Sequence, residues 1–248
     1  MRTVPAERRP FPADLFRVLR DLARHNDRPW FRSHKAEYEE HVLAPALAFV
    51  RTVAPMLERI SPYLLADPRP VGGSVMRVYR DVRFSRDKTP FRTYVGIRFM
   101  HDGARNRDQF LPGFFLNLAP RDCWIYAGLW EPDLERLERI RRAIVARSAA
   151  WRAVREAVPP LEGPAVKRVP DGYAPDHPRI EDLKRTGFGS RIRLTESEVL
   201  QRDFPERFLR GCERLDPLNR FLARAVGVAY APSRPRTRRS HARPARQA

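Results

Sequence analysis

Apolar positions recur along this chain at two different periods, and the change of period divides it into three stretches. Leu15, Val18, Leu19 and Leu22 follow Phe11-Pro12-Ala13-Asp14 at helical spacing, which predicts an amphipathic helix over 13–25. Asp27 stands where an N-cap would open a second helix, carrying Trp30, Phe31, His34 and Tyr38 on one face. A third stripe runs through Val42, Phe49, Val50, Val53, Leu57 and Ile60. It contains Pro45, which should start or kink that helix because it lacks an N–H and crowds the preceding turn. The N-terminal stretch is therefore expected to be all helix.

The middle shortens its period. Residues 74–79, 94–100, 113–119 and 123–130 are β-branched or aromatic runs bounded by Gly, Pro and Asp, which predicts four strands. The last two are joined by Pro120-Arg121-Asp122 and read as an antiparallel hairpin. Helical spacing returns over 133–157, with Leu134, Leu137, Ile140, Ile144 and Val145 as the stripe to be buried. A Pro- and Gly-rich ordered loop follows over 159–178. Beyond it we expect a strand at 191–194 and helices near 195–202 and 206–229. Helices, then strands, then helices describe a single α+β domain over 10–231, its central antiparallel sheet flanked by N- and C-terminal helices. Residues 232–248 hold no large apolar side chain and are expected to form a disordered Arg-rich tail.

Composition sharpens this reading in three ways. The 248 residues are enough for one large domain with a real core. The net charge of +18 suggests acidic partners, although six of the Arg side chains lie in the last sixteen residues. Basic residues are almost all Arg, with Lys only at positions 35, 88, 167 and 184. Cys123 and Cys212 are far apart and without metal-ligand spacing, so both are expected as buried thiols of a reducing compartment. Residues 1–12 have no apolar core of a secretory signal, and Val42–Leu57 is too short and too interrupted to cross a bilayer. A soluble cytoplasmic protein with no membrane partner is expected.

Candidate chemistry concentrates between Arg77 and Phe91. Arg77, Arg80, Arg83, Arg86 and Lys88 share this run with only Asp81 and Asp87. Five cations beside two carboxylates either pair internally or meet an external anion, because two acids cannot neutralise five bases. If 75–83 stays extended, Arg77, Tyr79, Asp81 and Arg83 share one face and Arg80 points the other way, while the next strand adds Tyr94 and Arg98. Arg77, Arg80, Arg83, Lys88 and Arg98 are thus candidate anion-binding residues, since guanidinium forks match phosphate or carboxylate. Asp81 or Asp87 would be the acid/base or metal-binding carboxylate. The structural alternative makes the same residues an ion-pair network that fixes the loop.

The spacing Arg77-x-x-Arg80-Asp81-x-Arg83-Phe84-x-x-Asp87-Lys88-x-x-Phe91 resembles the signature of a mainly bacterial family, domain of unknown function 2461. Residues 26–31 (Asn-Asp-Arg-Pro-Trp-Phe), 128–132, 167–173 and 176–178 are similar to it as well. The signature usually closes with Tyr where this chain has Phe91, so a role needing a phenolic hydroxyl there does not carry over. The resemblance implies no activity, substrate or cofactor.

Four further features have a functional and a plainer reading. His177 follows Asp176 in the Gly/Pro-rich loop and could act as general acid or base; the plainer reading is that Asp176 caps a short helix starting at His177-Pro178. His101-Asp102 lacks the partners of a metal site, and His34 and His41 read as packing residues. Trp124, Tyr126 and Trp130 alternate along one strand face, the pattern of core aromatics, although beside cations such a stripe can also stack bases. Gly128 in the same strand predicts a bulge or a close backbone approach. Walker, Rossmann, H-E-x-x-H and nucleophile-elbow patterns do not occur. The function expected is recognition of a phosphate or other anion, on a nucleotide or nucleic acid, with or without catalysis. The competing expectations are a non-catalytic nucleic-acid-binding module and a structural protein.

Overall fold

The computed structural model describes residues 9–103 and 111–230. Helices α1 (Leu15–Arg24), α2 (Arg28–Tyr38) and α3 (Ala44–Leu57) form the first layer. Asp27 caps α2 by accepting from the Trp30 N–H at 2.8 Å. Pro45 stands in the first turn of α3, directly after a π-helical turn at Glu39–Leu43. The widened turn takes up the bond and the space that proline denies to a continuous helix.

Strands β1 (Val95–Phe99), β2 (Gly113–Ala119), β3 (Asp122–Leu129) and β4 (Phe188–Leu194) make one antiparallel sheet in that order. Pro120 and Arg121 turn the β2–β3 hairpin, with Arg121 at φ 64° and its N–H held by Glu196 at 3.0 Å. Helices α4 (Leu134–Ala146), α5 (Ser148–Ala157), α6 (Ile180–Leu183) and α7 (Glu196–Val199) lead to the long α8 (Phe204–Val226). The fold is α+β, as the change of period foretold.

One face of the sheet is core. Val95, Ile97, Phe99, Phe114, Leu116, Leu118, Ile125 and Phe188 are buried there against α3 and α8. Gly211 of α8 lets the helix close on β3, since a Cβ would come within 2.5 Å of Ile125 Cδ1. Cys123 and Cys212 are both buried and unpaired, as expected. Among the described residues no helix is long and apolar enough to cross a membrane.

Three expected elements are redrawn. The strand at 74–79 is only two isolated bridges, Val75 to Ile97 and Tyr79 to Phe91, because the chain follows the edge of β1 and then leaves it. The helix at 133–157 breaks at Arg147, whose φ −125° and ψ 45° are not helical. Trp151 and Val154 are buried beyond the break, while Leu134 and Val145 of the expected stripe are exposed. The strand expected at 191–194 begins earlier, at Phe188, where a fully buried start hides the alternation. The tail from 232 and most of the N-terminal leader lie outside the described residues.

Candidate ligand-binding site

Alternate residues of each strand face away from α8, and the register aligns them. Arg98, Phe115, Tyr126 and Arg191 form one row across all four strands. Gly96, Asn117, Trp124 and Arg193 form the next. A Cβ at Gly96 would meet Met76 Sδ and Phe115 Cζ, both at 2.8 Å, so the missing side chain lets the Phe115 ring lie over β1. Gly189 gives the same room to the Tyr126 ring. Gly128, at φ 132°, lies so close to the Phe188 carbonyl that no side chain fits, which is the close backbone approach expected of it.

Over these rows lies a cavity of about 550 Å³. Phe115, Trp124, Tyr126 and Trp130 supply its aromatic walls, with Met76 and Met100 beside them. Its charged groups are Arg98, Arg191 and Glu162. A second depression of about 460 Å³ adjoins it, sharing Tyr94, Phe115 and Trp124 and adding Thr93, Asn117 and Asp122.

The charged groups differ in kind. Arg191 pairs with Glu162 and lies 5.6 Å from the centroid of the Trp124 ring. Arg98 is half-buried and makes neither an ion pair nor a side-chain hydrogen bond among the described residues. Burial, and then the charge of Arg92, push its pKa down, the mark of a cation whose surroundings do not compensate it. The Tyr126 hydroxyl is buried without a hydrogen-bond partner. Burial, then the carboxylate of Glu162, push its pKa up and keep it a neutral donor. Aromatic walls, one uncompensated cation and one unsatisfied hydroxyl complement a planar apolar group that bears an anion.

The signature loop is arranged otherwise. Two Asp residues each start a tight turn, Asp81 accepting from the Arg83 N–H at 3.2 Å and Asp87 from the Thr89 N–H at 2.9 Å. Arg80 pairs with Asp87 and Thr89, Arg83 pairs with Asp81 at 2.7 Å, and Lys88 donates to the Val82 carbonyl at 3.0 Å. The Arg83 side chain above all holds Asp81 down to a pKa of about 2. The Thr89 N–H and then Arg80 do the same for Asp87, also about 2. Of the expected anion-binding residues, only Arg98 lines the cavity; Arg77, Arg80, Arg83 and Lys88 do not. Met76, immediately before the loop, does.

Residues 26–31, one of the other segments similar to the family, hold this loop in place. Asn26 grips the Phe91 backbone with both ends of its amide, donating to the carbonyl and accepting from the N–H, each at 3.0 Å. Phe31 stacks on Phe91 with ring centroids 4.2 Å apart, and Phe91 is buried. The ring at this position serves as packing, for which phenylalanine suffices.

His177 is half-buried and does not line the cavity; its Nδ1 accepts from the Arg179 N–H at 3.0 Å, just before α6. The cap expected of Asp176 is not found: α6 starts only at Ile180, its N-cap residue is Arg179, and no side chain caps it. His101 is buried, bonded to the Ala229 carbonyl and stacked on Tyr63, which ties the segment after β1 to the segment after α8. His34 stacks on Trp30 at 4.0 Å. Among the described residues no three His, Cys, Asp or Glu side chains converge as metal ligands.

Sequence reasoning assigned the aromatic stripe to the core, yet Trp124 and Tyr126 are only half-buried and Trp130 is exposed, on the face opposite the core. It missed Phe115, Glu162 and Arg191. The alternation of Arg191 and Arg193 about Ile192 was the available signal, but it points to a cavity only once the register is known.

Comparison with the curated proteins and with the solved structures finds no significant match. A family model does match, over residues 14–221, and its description is "Conserved hypothetical protein (DUF2461)". The chain belongs to this family.

Proposed function

For this member of the DUF2461 family, we propose recognition of a small aromatic anion, of the nucleotide or aryl-phosphate class, in the cavity on the open face of the sheet. The observation that carries the reading is Arg98, half-buried among aromatic side chains with no acidic partner among the described residues. An uncompensated guanidinium in a partly dry site favours an anion that can accept from its fork. Phe115, Trp124 and Trp130 offer ring faces for the planar part, and the Tyr126 hydroxyl a hydrogen bond. The adjoining depression at Asn117 and Thr93 leaves room for a polar extension such as a sugar. The volume suits a ligand of that size.

This reading keeps the anion recognition expected from the sequence and moves its centre from the signature loop to β1. Asp81 and Asp87, each with a pKa near 2 and engaged by Arg side chains, are poorly matched to proton transfer near neutrality. The reading is therefore of binding, with Arg98 as its anion-holding residue.

A panel of nucleoside monophosphates, aryl phosphates, aryl carboxylates and inorganic phosphate, followed by thermal shift and by tryptophan fluorescence, tests it. We expect saturable stabilisation by the aromatic anions, following the logarithm of ligand concentration. Inorganic phosphate should bind more weakly. Arg98→Met, which keeps the bulk and removes the charge, should fold and lose at least tenfold in affinity. A wild type that no member of the panel stabilises, or an Arg98→Met variant that binds as well, would sink the proposal.

A further inference from the structure

The signature loop presents a surface that the cavity does not use. Phe84 sits at its apex with 96% of its surface in water, and Tyr79 at its base is 51% exposed. Around them stand Arg77, Arg83, Arg86 and Lys88, all exposed. A phenyl ring in water gains nothing for the fold, yet this one is held there. The Asp81 and Asp87 turns fix both shoulders of the loop, and Ser85 closes a tight turn back to the Val82 carbonyl at 3.3 Å. Arg83 lies 5.8 Å from the centroid of the Phe84 ring, so the ring has a cation beside it and open space around it.

We infer that this loop docks single-stranded nucleic acid, with bases stacking on Phe84 and Tyr79 and phosphates meeting the surrounding cations. Exposed aromatic rings interleaved with cations are what such strands require, because every base has a stackable face and every linkage a charge. The Arg83–Asp81 ion pair is solvent-exposed, so exchanging its carboxylate for a phosphate costs little. A duplex presents no free base face to a single apical ring. An anionic membrane fits less well, because the residues flanking Phe84 are Arg83, Ser85 and Arg86 rather than further apolar side chains.

Fluorescence anisotropy of the full-length chain with a labelled oligothymidylate of about a dozen nucleotides tests the inference. Phe84→Ala should weaken binding roughly tenfold and Phe84→Trp should restore it, as expected for base stacking. Arg86→Gln should lower the slope of log affinity against log salt by about 0.7. Both side chains stand in water, so neither variant should move the melting temperature. Duplex DNA of equal length should compete poorly. The Arg-rich tail is common to every variant, so its contribution cancels in the comparison. Binding that is absent at low salt, is unchanged by Phe84→Ala, or is displaced equally by duplex would overturn the inference. So would Phe84-dependent capture by anionic vesicles with no effect of Phe84 on oligonucleotide binding. Phe84→Ala should leave binding of aromatic monophosphates unchanged, and Arg98→Met should leave the effect of Phe84 intact, so either proposal can fail alone.

Discussion

At the scale of single residues, the side chains that stand out in the sequence divide into those that hold the fold and those that face outward from it. Asn26 is of the first kind. Its amide satisfies both backbone groups of Phe91, a half-buried arrangement that no apolar side chain can replace. Asn26→Ala is expected to lose about 2 kcal/mol in urea unfolding, because two backbone groups lose their partners together. Asn26→Asp should recover part of that, since a carboxylate still accepts from the N–H. Trp151 is similar, donating at 2.7 Å to Asp182, a buried carboxylate with Arg155 and Arg185 nearby. Arg98 and Phe84 are of the second kind, and removing either should cost binding rather than stability.

At the scale of elements, the signature loop works as a clip closed by two carboxylates. Both Asp81 and Asp87 have folded-state pKa values near 2, below the ordinary aspartate value near 4. A carboxylate with a depressed folded pKa contributes stability that is full above its unfolded value and is lost as the pH falls through the folded one. Wild-type stability should therefore decline between about pH 4 and pH 2. The double variant Asp81→Asn, Asp87→Asn should show a shallower decline in denaturant titrations over that range. Other carboxylates shifted the same way, Asp14, Asp67 and Glu198, keep the remaining slope from vanishing. An unchanged slope in the double variant would mean that the clip does not couple to folding. The sheet is a different kind of element. Its core face is apolar except for Ser190, whose hydroxyl donates to the Pro159 carbonyl, and its open face carries side chains whose use depends on their neighbours across the strands.

At the scale of the whole molecule, the described chain is strongly cationic outside its sheet core, and the Arg-rich end adds to that charge. Apart from Pro235 and Pro244, residues 233–248 contain no apolar side chain larger than Ala. Deleting them should leave the melting temperature nearly unchanged, since nothing large is withdrawn from a core. The same deletion should flatten the salt dependence of any polyanion binding, because six Arg side chains leave with the segment. A large drop in melting temperature would show instead that the segment packs on the body.

The sequence by itself determined what depends on neighbours along the chain. The period of apolar residues placed the helical layers and the antiparallel hairpin; Asp27, Pro45 and Gly128 announced a cap, a disturbed helix and a close approach, and each is found. The family signature was legible because its residues are contiguous. Tertiary structure decided which face of the sheet meets α8, and with it whether the aromatic stripe of β3 is core or cavity wall. Alternation says only that Trp124 and Tyr126 share a face; packing on the other face leaves theirs open. The row Arg98, Phe115, Tyr126, Arg191 draws one residue from each of four strands spread over nearly a hundred positions. Register brings them together, and register is set by strand pairing and burial, which no local pattern records. The pairing of the loop cations was equally hidden, since composition counts charges while only the turns at Asp81 and Asp87 decide which of them meet.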